Sequence, residues 1–189
     1  MIGKKIAIVG GHGTGKSTLS MDLAAALKKM NYHAGVTGDG ARSSPYLIAK
    51  EIVSETEVNI LGRQITNETD LVRESELVIC DGSVLEVVMY CNLFFSNPDE
   101  SARNCFRGIE DFARRHVDTY DVIFRTTSLY DLDKTKDPLR PKNRELQRRS
   151  HELLQKILRD FRTGYEDLPE NGEVPFMINI LRERNIISN

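Results

Sequence analysis

The 189-residue chain has little that would staple it, anchor it or repeat it. Its three cysteines, Cys80, Cys91 and Cys105, are odd in number and lack any C-x-x-C spacing. That argues against a disulfide framework or a zinc site and for reduced, buried thiols in a cytoplasmic protein. Long apolar runs are missing too. The run at the N-terminus, Ile6 to Val9, is four residues long, which is too short for a signal peptide. No stretch approaches the roughly 20 residues of a membrane span, so no membrane partner is expected. A net charge of −2 points to neither a nucleic-acid coat nor a membrane-surface protein. Repeats, low-complexity tracts and interdomain linkers are also lacking, and residues 1–189 read as one domain. A chain of this length buries roughly 70% of its unfolded surface and needs no staple.

What is present begins at residue 4. A short apolar run leads directly into Gly10-Gly11-His12-Gly13-Thr14-Gly15-Lys16-Ser17, which fits the phosphate-binding pattern G-x-x-x-x-G-K-[ST] at every fixed position. Glycines let successive backbone N–H groups turn into one concave nest, and the helix that follows adds its positive end. Gly11, His12, Gly13, Thr14, Gly15, Lys16, Ser17 and Thr18 are therefore expected to hold a nucleoside triphosphate, ATP by expectation. Lys16 should reach the β- and γ-phosphates, and the Ser17 hydroxyl should ligate Mg²⁺.

The rest of the chain alternates strands and helices. Strands are expected at about 4–9, 33–38, 76–82 and 120–127, and helices at about 15–30, 46–57, 59–75, 83–95, 99–117 and up to 161. The turn-rich tail supplies a last strand or helix. This predicts a three-layer α/β fold with a mostly parallel, five-stranded sheet. In such sheets ligands sit at the carboxyl ends of the strands. Two loops there carry polar groups, and a helix adds more. Gly38 to Pro45 follows strand 2 and offers Asp39 and Arg42 to an acceptor, or else Asp39 merely caps its own turn. Leu77 to Asp81 ends in a carboxylate, a Walker B pattern that can hold Mg²⁺ or orient an acceptor hydroxyl. The 59–75 segment places Arg63, Gln64 and Asn67 near one face, with Gln64 a candidate for substrate contact. Tyr90 and Phe94 read as core, with the wall of a base pocket as the alternative.

Positive charge gathers late. From Lys134 to Arg162 there are ten Lys or Arg against four Asp or Glu, a local +6. Arginines in a mobile lid, about 129–149, would close on transferring phosphoryl oxygens. The same patch could track a nucleic-acid backbone, or be a solvated helix face.

Four stretches taken together, GGHGTGKST, GDGARSSP, ELVICDGS and YDVIFRTT followed by DPLRPKNR, resemble the P-loop nucleoside and nucleotide kinases over about residues 4–160. The resemblance is strongest to the ribosylnicotinamide-kinase-like branch, which includes phage kinases acting on hydroxymethylated pyrimidine bases in DNA. It implies that Asp39 is the general base or orients the acceptor, and that Arg42 binds acceptor or phosphate. It also implies that Asp81 lies near Mg²⁺ and that Arg140 and Arg144 are lid arginines. The sequence departs from the pattern at Asp81-Gly82, where related kinases often have Asp-Arg, and the usual acceptor contact is in doubt.

The expected activity is a kinase transferring the γ-phosphate of ATP to a hydroxyl of a nucleoside or nucleotide-type acceptor. A modified base in DNA, reached by flipping, is the alternative acceptor. A regulatory ATPase is the alternative class, with Arg73 or Arg125 as conceivable arginine fingers. A Ras-like GTPase is disfavoured because the guanine-reading N-K-x-D is missing. Oligomeric state stays open, a homodimer included.

Overall fold

The structure, a computed structural model, describes residues 2–49, 53–95, 97–134 and 142–188. Five strands, β1 (Lys4–Val9), β2 (Ala34–Val36), β3 (Leu77–Asp81), β4 (Val122–Arg125) and β5 (Glu166–Asp167), form one sheet in the order β2-β3-β1-β4-β5. Every pairing is parallel. The sheet is thus wholly rather than mostly parallel, and the tail contributes both an edge strand and a helix.

Parallel strands are covered on both faces, which is why β1, β3 and β4 are nearly continuous apolar runs. Side chains alternate along a strand. Ile6, Ile8, Val122 and Phe124 therefore point to one face, where Leu23 and Leu27 of α1 (Lys16–Lys29) and Met177 and Leu181 of α7 (Glu173–Glu183) cover them. Ala7, Val9, Val78 and Cys80 point to the other face. There they meet α3 (Ser54–Glu74), α4 (Val84–Phe94), α5 (Glu100–His116) and α6 (Arg144–Asp160).

Local signals set the ends of several helices. Asn31, at φ 67°, closes α1 in the left-handed conformation that asparagine tolerates. Ser83, Asp99 and Asn143 cap α4, α5 and α6 by accepting the N–H of Leu85, Ala102 and Leu146. One boundary differs from expectation. The segment expected as helices 46–57 and 59–75 is instead a single turn, α2 (Pro45–Ile48), and one unbroken helix from Ser54. The Thr56 hydroxyl accepts the Val53 N–H at 3.0 Å and starts the helix there. Cys80 and Cys91 are buried and Cys105 half-buried, all as free thiols. Among the described residues no helix is long and apolar enough to cross a membrane.

Candidate active site

The P-loop fills the turn from β1 into α1. Gly15 has φ +79°, a conformation that calls for glycine, and the exposed Tyr130 ring packs over it. Lys16 folds back over the loop, its Nζ donating to the carbonyls of Gly10 at 2.7 Å and Gly11 at 3.0 Å. Helix α6 braces the loop from outside. Ser150 Oγ accepts the His12 N–H at 2.8 Å, and Gln147 Nε2 donates to the Gly13 carbonyl at 3.1 Å.

A cleft of about 440 Å³ opens from this loop. His12 to Ser17, Asp39, Arg42 and Asp81 all line it, so the sheet edge gathers these expected site residues. Burial pushes the Asp81 carboxyl up, while its hydrogen bond with Ser17 and the Lys16 charge pull it down. Asp39 has a double engagement. Its Oδ1 accepts the N–H groups of Ala41 and Arg42 at 3.0 and 3.2 Å, and its Oδ2 accepts Arg42 Nε at 3.1 Å. It caps its own turn and lines the cleft at once.

Gly82 explains the departure after Asp81. Its φ is +88°, a conformation in which an arginine would be strained. The backbone turns there to bring Ser83 and Glu86 under the P-loop.

Glu86 and Glu57 escaped the sequence reading. Glu86 is buried in α4. Its Oε1 accepts the Gly10 N–H at 3.0 Å, and its Oε2 accepts the Ser83 hydroxyl at 2.6 Å. Burial pushes its carboxyl up, opposed by the Lys16 charge and these bonds. The signal was a lone Glu inside the apolar run 84–91, three residues after a capping Ser. Glu57, on α3, is 2% exposed and burial pushes its carboxyl up to about 8.

Beyond the P-loop the cleft turns apolar. Gln64 and Ile60 line it from α3; Val87, Tyr90 and Phe94 line it from α4. The Tyr90 and Phe94 rings stack at 5.5 Å with 8° between planes and line the cleft, so they are not wholly core. Gln64 is fixed from behind. Its Nε2 donates to Glu68 Oε1 at 2.8 Å, and Glu68 also takes the Tyr120 hydroxyl at 2.8 Å and Lys5 Nζ at 3.1 Å. The burial that would raise the Glu68 carboxyl is outweighed by these partners and His116, which hold it down.

Thr18 lies elsewhere. It lines a second cavity of about 140 Å³, between Gly15, Tyr130, Leu168 and Glu173 on the α7 side of the P-loop. Arg144 does not line the cleft; its Nη2 is 2.7 Å from Asp133 Oδ2 and 3.7 Å from Asp131 Oδ1. Arg140 lies outside the described residues. Arg63 donates to Asn59 Oδ1, and Asn67 to the Gly38 carbonyl. Arg125, in the sheet, is paired with Asp167, and Arg73 is exposed near the C-terminal end of α3.

Comparisons with known proteins agree with this geometry. Residues 5–174 match the family described as AAA domain. No curated protein sequence matches significantly. Among solved structures, a deoxyadenosine kinase from M. mycoides with dCMP and dCDP superposes with a TM-score of 0.69 at 17% identity, over 95% of this chain and 99% of that one. NadR protein in complex with NR gives 0.74 at 18%, over 100% of this chain and 52% of that one. Thymidylate kinase from Candida albicans gives 0.68 at 16%, over 100% and 96%. The chain belongs to the AAA domain family and carries the fold of the P-loop nucleoside and nucleotide kinases.

Proposed function

We propose that the protein is an ATP-dependent kinase that transfers the γ-phosphate to a hydroxyl of a nucleoside or nucleotide-type acceptor. One observation carries this reading. The phosphate cradle and a largely apolar, aromatic-walled space large enough for a ring belong to one cavity. An ATPase that only hydrolyses has no use for that second space.

The donor side fits the triphosphate. The glycine-rich loop lines the cleft, and Lys16 is already held over it by two carbonyls, so little reorganisation precedes reaction. Ser17 and Asp81 offer a hydroxyl and a carboxylate, the hard oxygen donors that suit Mg²⁺ beside phosphates. When bound, the ion neutralises charge on the β- and γ-oxygens. The second cavity lies on the far side of Gly15 and suits the donor's base.

On the acceptor side, Asp39 orients the hydroxyl and takes its proton as the new O–P bond forms and the bond to the β-phosphate oxygen breaks, releasing ADP. Arg42 competes with that hydroxyl for Asp39 Oδ2, so movement of its guanidinium towards the phosphoryl oxygens frees the base. Arg144 exchanges Asp131 and Asp133 for phosphate as the lid closes, and Arg140 acts with it.

The ring-sized space beside the P-loop favours a small acceptor over DNA, and one arginine of the basic segment is already engaged. Arg148 is spent on Glu145 and Glu152 of its own helix. The test is transfer of label from γ-labelled ATP with Mg²⁺. The acceptors are common nucleosides, their monophosphates, ribosylnicotinamide, plain DNA, and DNA containing hydroxymethyluracil or hydroxymethylcytosine. Label in a nucleoside or monophosphate is expected. Label only in hydroxymethylated DNA would reassign the acceptor, and free phosphate alone would make the protein an ATPase.

A further inference from the structure

One carboxyl oxygen on the α3 side of the cleft has no hydrogen-bond partner among the described residues. Glu57 Oε2 is buried and accepts and donates no hydrogen bond, although Glu57 lines the cavity. A buried polar atom in that state costs stability unless something completes it. Glu57, Ile60 and Gln64 sit at positions i, i+3 and i+7 of α3 and share its cleft-facing side. With one Nε2 hydrogen tied to Glu68, Gln64 can still offer a ligand its carbonyl oxygen and its second N–H. The stacked Tyr90–Phe94 pair lines the same space from α4.

These features describe a slot for a flat ring with a polar edge. The carboxyl is neutral at pH 7, since burial raises it to about 8. A neutral carboxyl presents an O–H donor beside a C=O acceptor. Its complement is an amide or amidine edge, in which an acceptor atom adjoins an N–H donor. Nucleobases and carboxamide-bearing rings carry such an edge. We propose that Glu57 reads the acceptor's ring, through a two-point hydrogen bond from its carboxyl to an amide or amidine edge held beside the α4 aromatic pair. This rests on the kinase reading above and names its specificity residue.

The other charged groups of the cleft lie towards its phosphoryl end: Lys16 and Ser17's partner Asp81, Asp39 and Arg42 of the β2 loop, and Glu86 of α4. From α4 the titratable groups facing Glu57 are Tyr90 and the Cys91 thiol, which burial and then the Glu57 charge push up. The α2 residues lining the cleft, Leu47 and Ile48, are apolar. No cation among these neutralises Glu57, so its own protonation governs the slot.

The test pairs ring probes with two variants. Deoxycytidine and deoxyadenosine are compared with pyrimidin-2-one and purine deoxyribosides, which lack the amino group, each as nucleoside and as 5′-monophosphate. Calorimetric Kd and the KM for transfer are measured for wild type, Glu57→Gln and Glu57→Met from pH 6 to 9. Wild type should favour an amino-bearing probe over its stripped analogue about ten- to hundredfold, and that preference should fade as pH rises through about 8. Glu57→Met should erase the preference. Glu57→Gln, whose amide keeps a donor beside an acceptor, should retain it within about threefold and lose the pH dependence. Preference intact in Glu57→Met overturns the proposal while leaving the kinase reading standing. So does loss in Glu57→Gln equal to that in Glu57→Met, which would mean a negative charge, not a two-point pair, is what the ligand needs. If wild type neither binds nor phosphorylates any of the probes, this inference fails, and the kinase reading is decided separately by the wider acceptor panel above.

Discussion

At the P-loop end of the cleft the carboxyl groups are fully engaged, whereas at the α3 end one is not. Glu86 has a partner on each oxygen, Asp39 likewise, and Asp81 bonds Ser17. Glu57 leaves Oε2 unpaired in a wall of apolar side chains. The donor end is assembled before any ligand arrives, by chain-local groups and by α6 packing onto the loop. The acceptor end has its rear support, Glu68 holding Gln64, and lacks its front partner. Preorganised charge suits the site of phosphoryl transfer, where dipoles must not reorganise during reaction. An unpaired group suits the site of selection, where a ligand that completes it is favoured over one that does not.

The comparison can be broken first at the P-loop end of the cleft, where the phosphoryl group would be transferred. Lys16→Ala should lower phosphate transfer about 10³-fold, measured with γ-labelled ATP; transfer within tenfold of wild type would mean the cradle does not depend on the lysine. Asp39→Asn should spare ATP binding and lower turnover about 10²-fold or more, read by calorimetry and single-turnover kinetics. Unchanged turnover would remove Asp39 from the reaction and leave Asp81.

The acceptor end makes the opposite prediction, that a substitution stabilises. The folded Glu57 carboxyl sits near 8 against an ordinary 4.5. A raised value means its contribution is fully present below pH 4.5 and is lost as pH rises through about 8. At pH 7 the unfolded chain holds Glu57 ionised and the folded chain does not. Glu57→Gln removes that penalty and should stabilise the ligand-free protein by about 3 kcal/mol at pH 7. The gain should vanish near pH 4.5. Urea melts at several pH values check it, and a variant destabilised at pH 7 would show that the carboxyl has a partner in solution. The smallest effect belongs to Gly82. Restoring an arginine there should cost about 1–2 kcal/mol because of the positive φ, and it should not raise transfer. A Gly82→Arg variant with higher activity would show that the turn accommodates the missing contact.

The sequence revealed the donor end and left the acceptor end half read. The P-loop is a contiguous run whose glycines are required by the backbone itself, and β1, β3 and β4 announce themselves as doubly covered strands. The face of α3 was lost when the segment was divided at residue 58. That cut separated Glu57 from Ile60 and Gln64, which belong to one stripe. Glu86 looked like an interruption in an apolar helix because its partner, the Gly10 N–H, is 76 residues away. Tyr90 and Phe94 read as core because aromatic residues at helical spacing are equally compatible with a packed interior and a pocket wall. Arg144 is expected from the sequence as a lid cation, and its ion pairs with Asp131 and Asp133 were not legible there.

The amino-acid sequence by itself determined a P-loop on a parallel α/β sheet, because hydrogen-bonding nests and strand burial are written in adjacent residues. Only the tertiary structure decided which polar groups face the second half of the cleft and which of them lack partners. Those facts depend on how α3 and α4 pack across the sheet edge, and side chains far apart in sequence satisfy or fail to satisfy one another only once that packing is fixed.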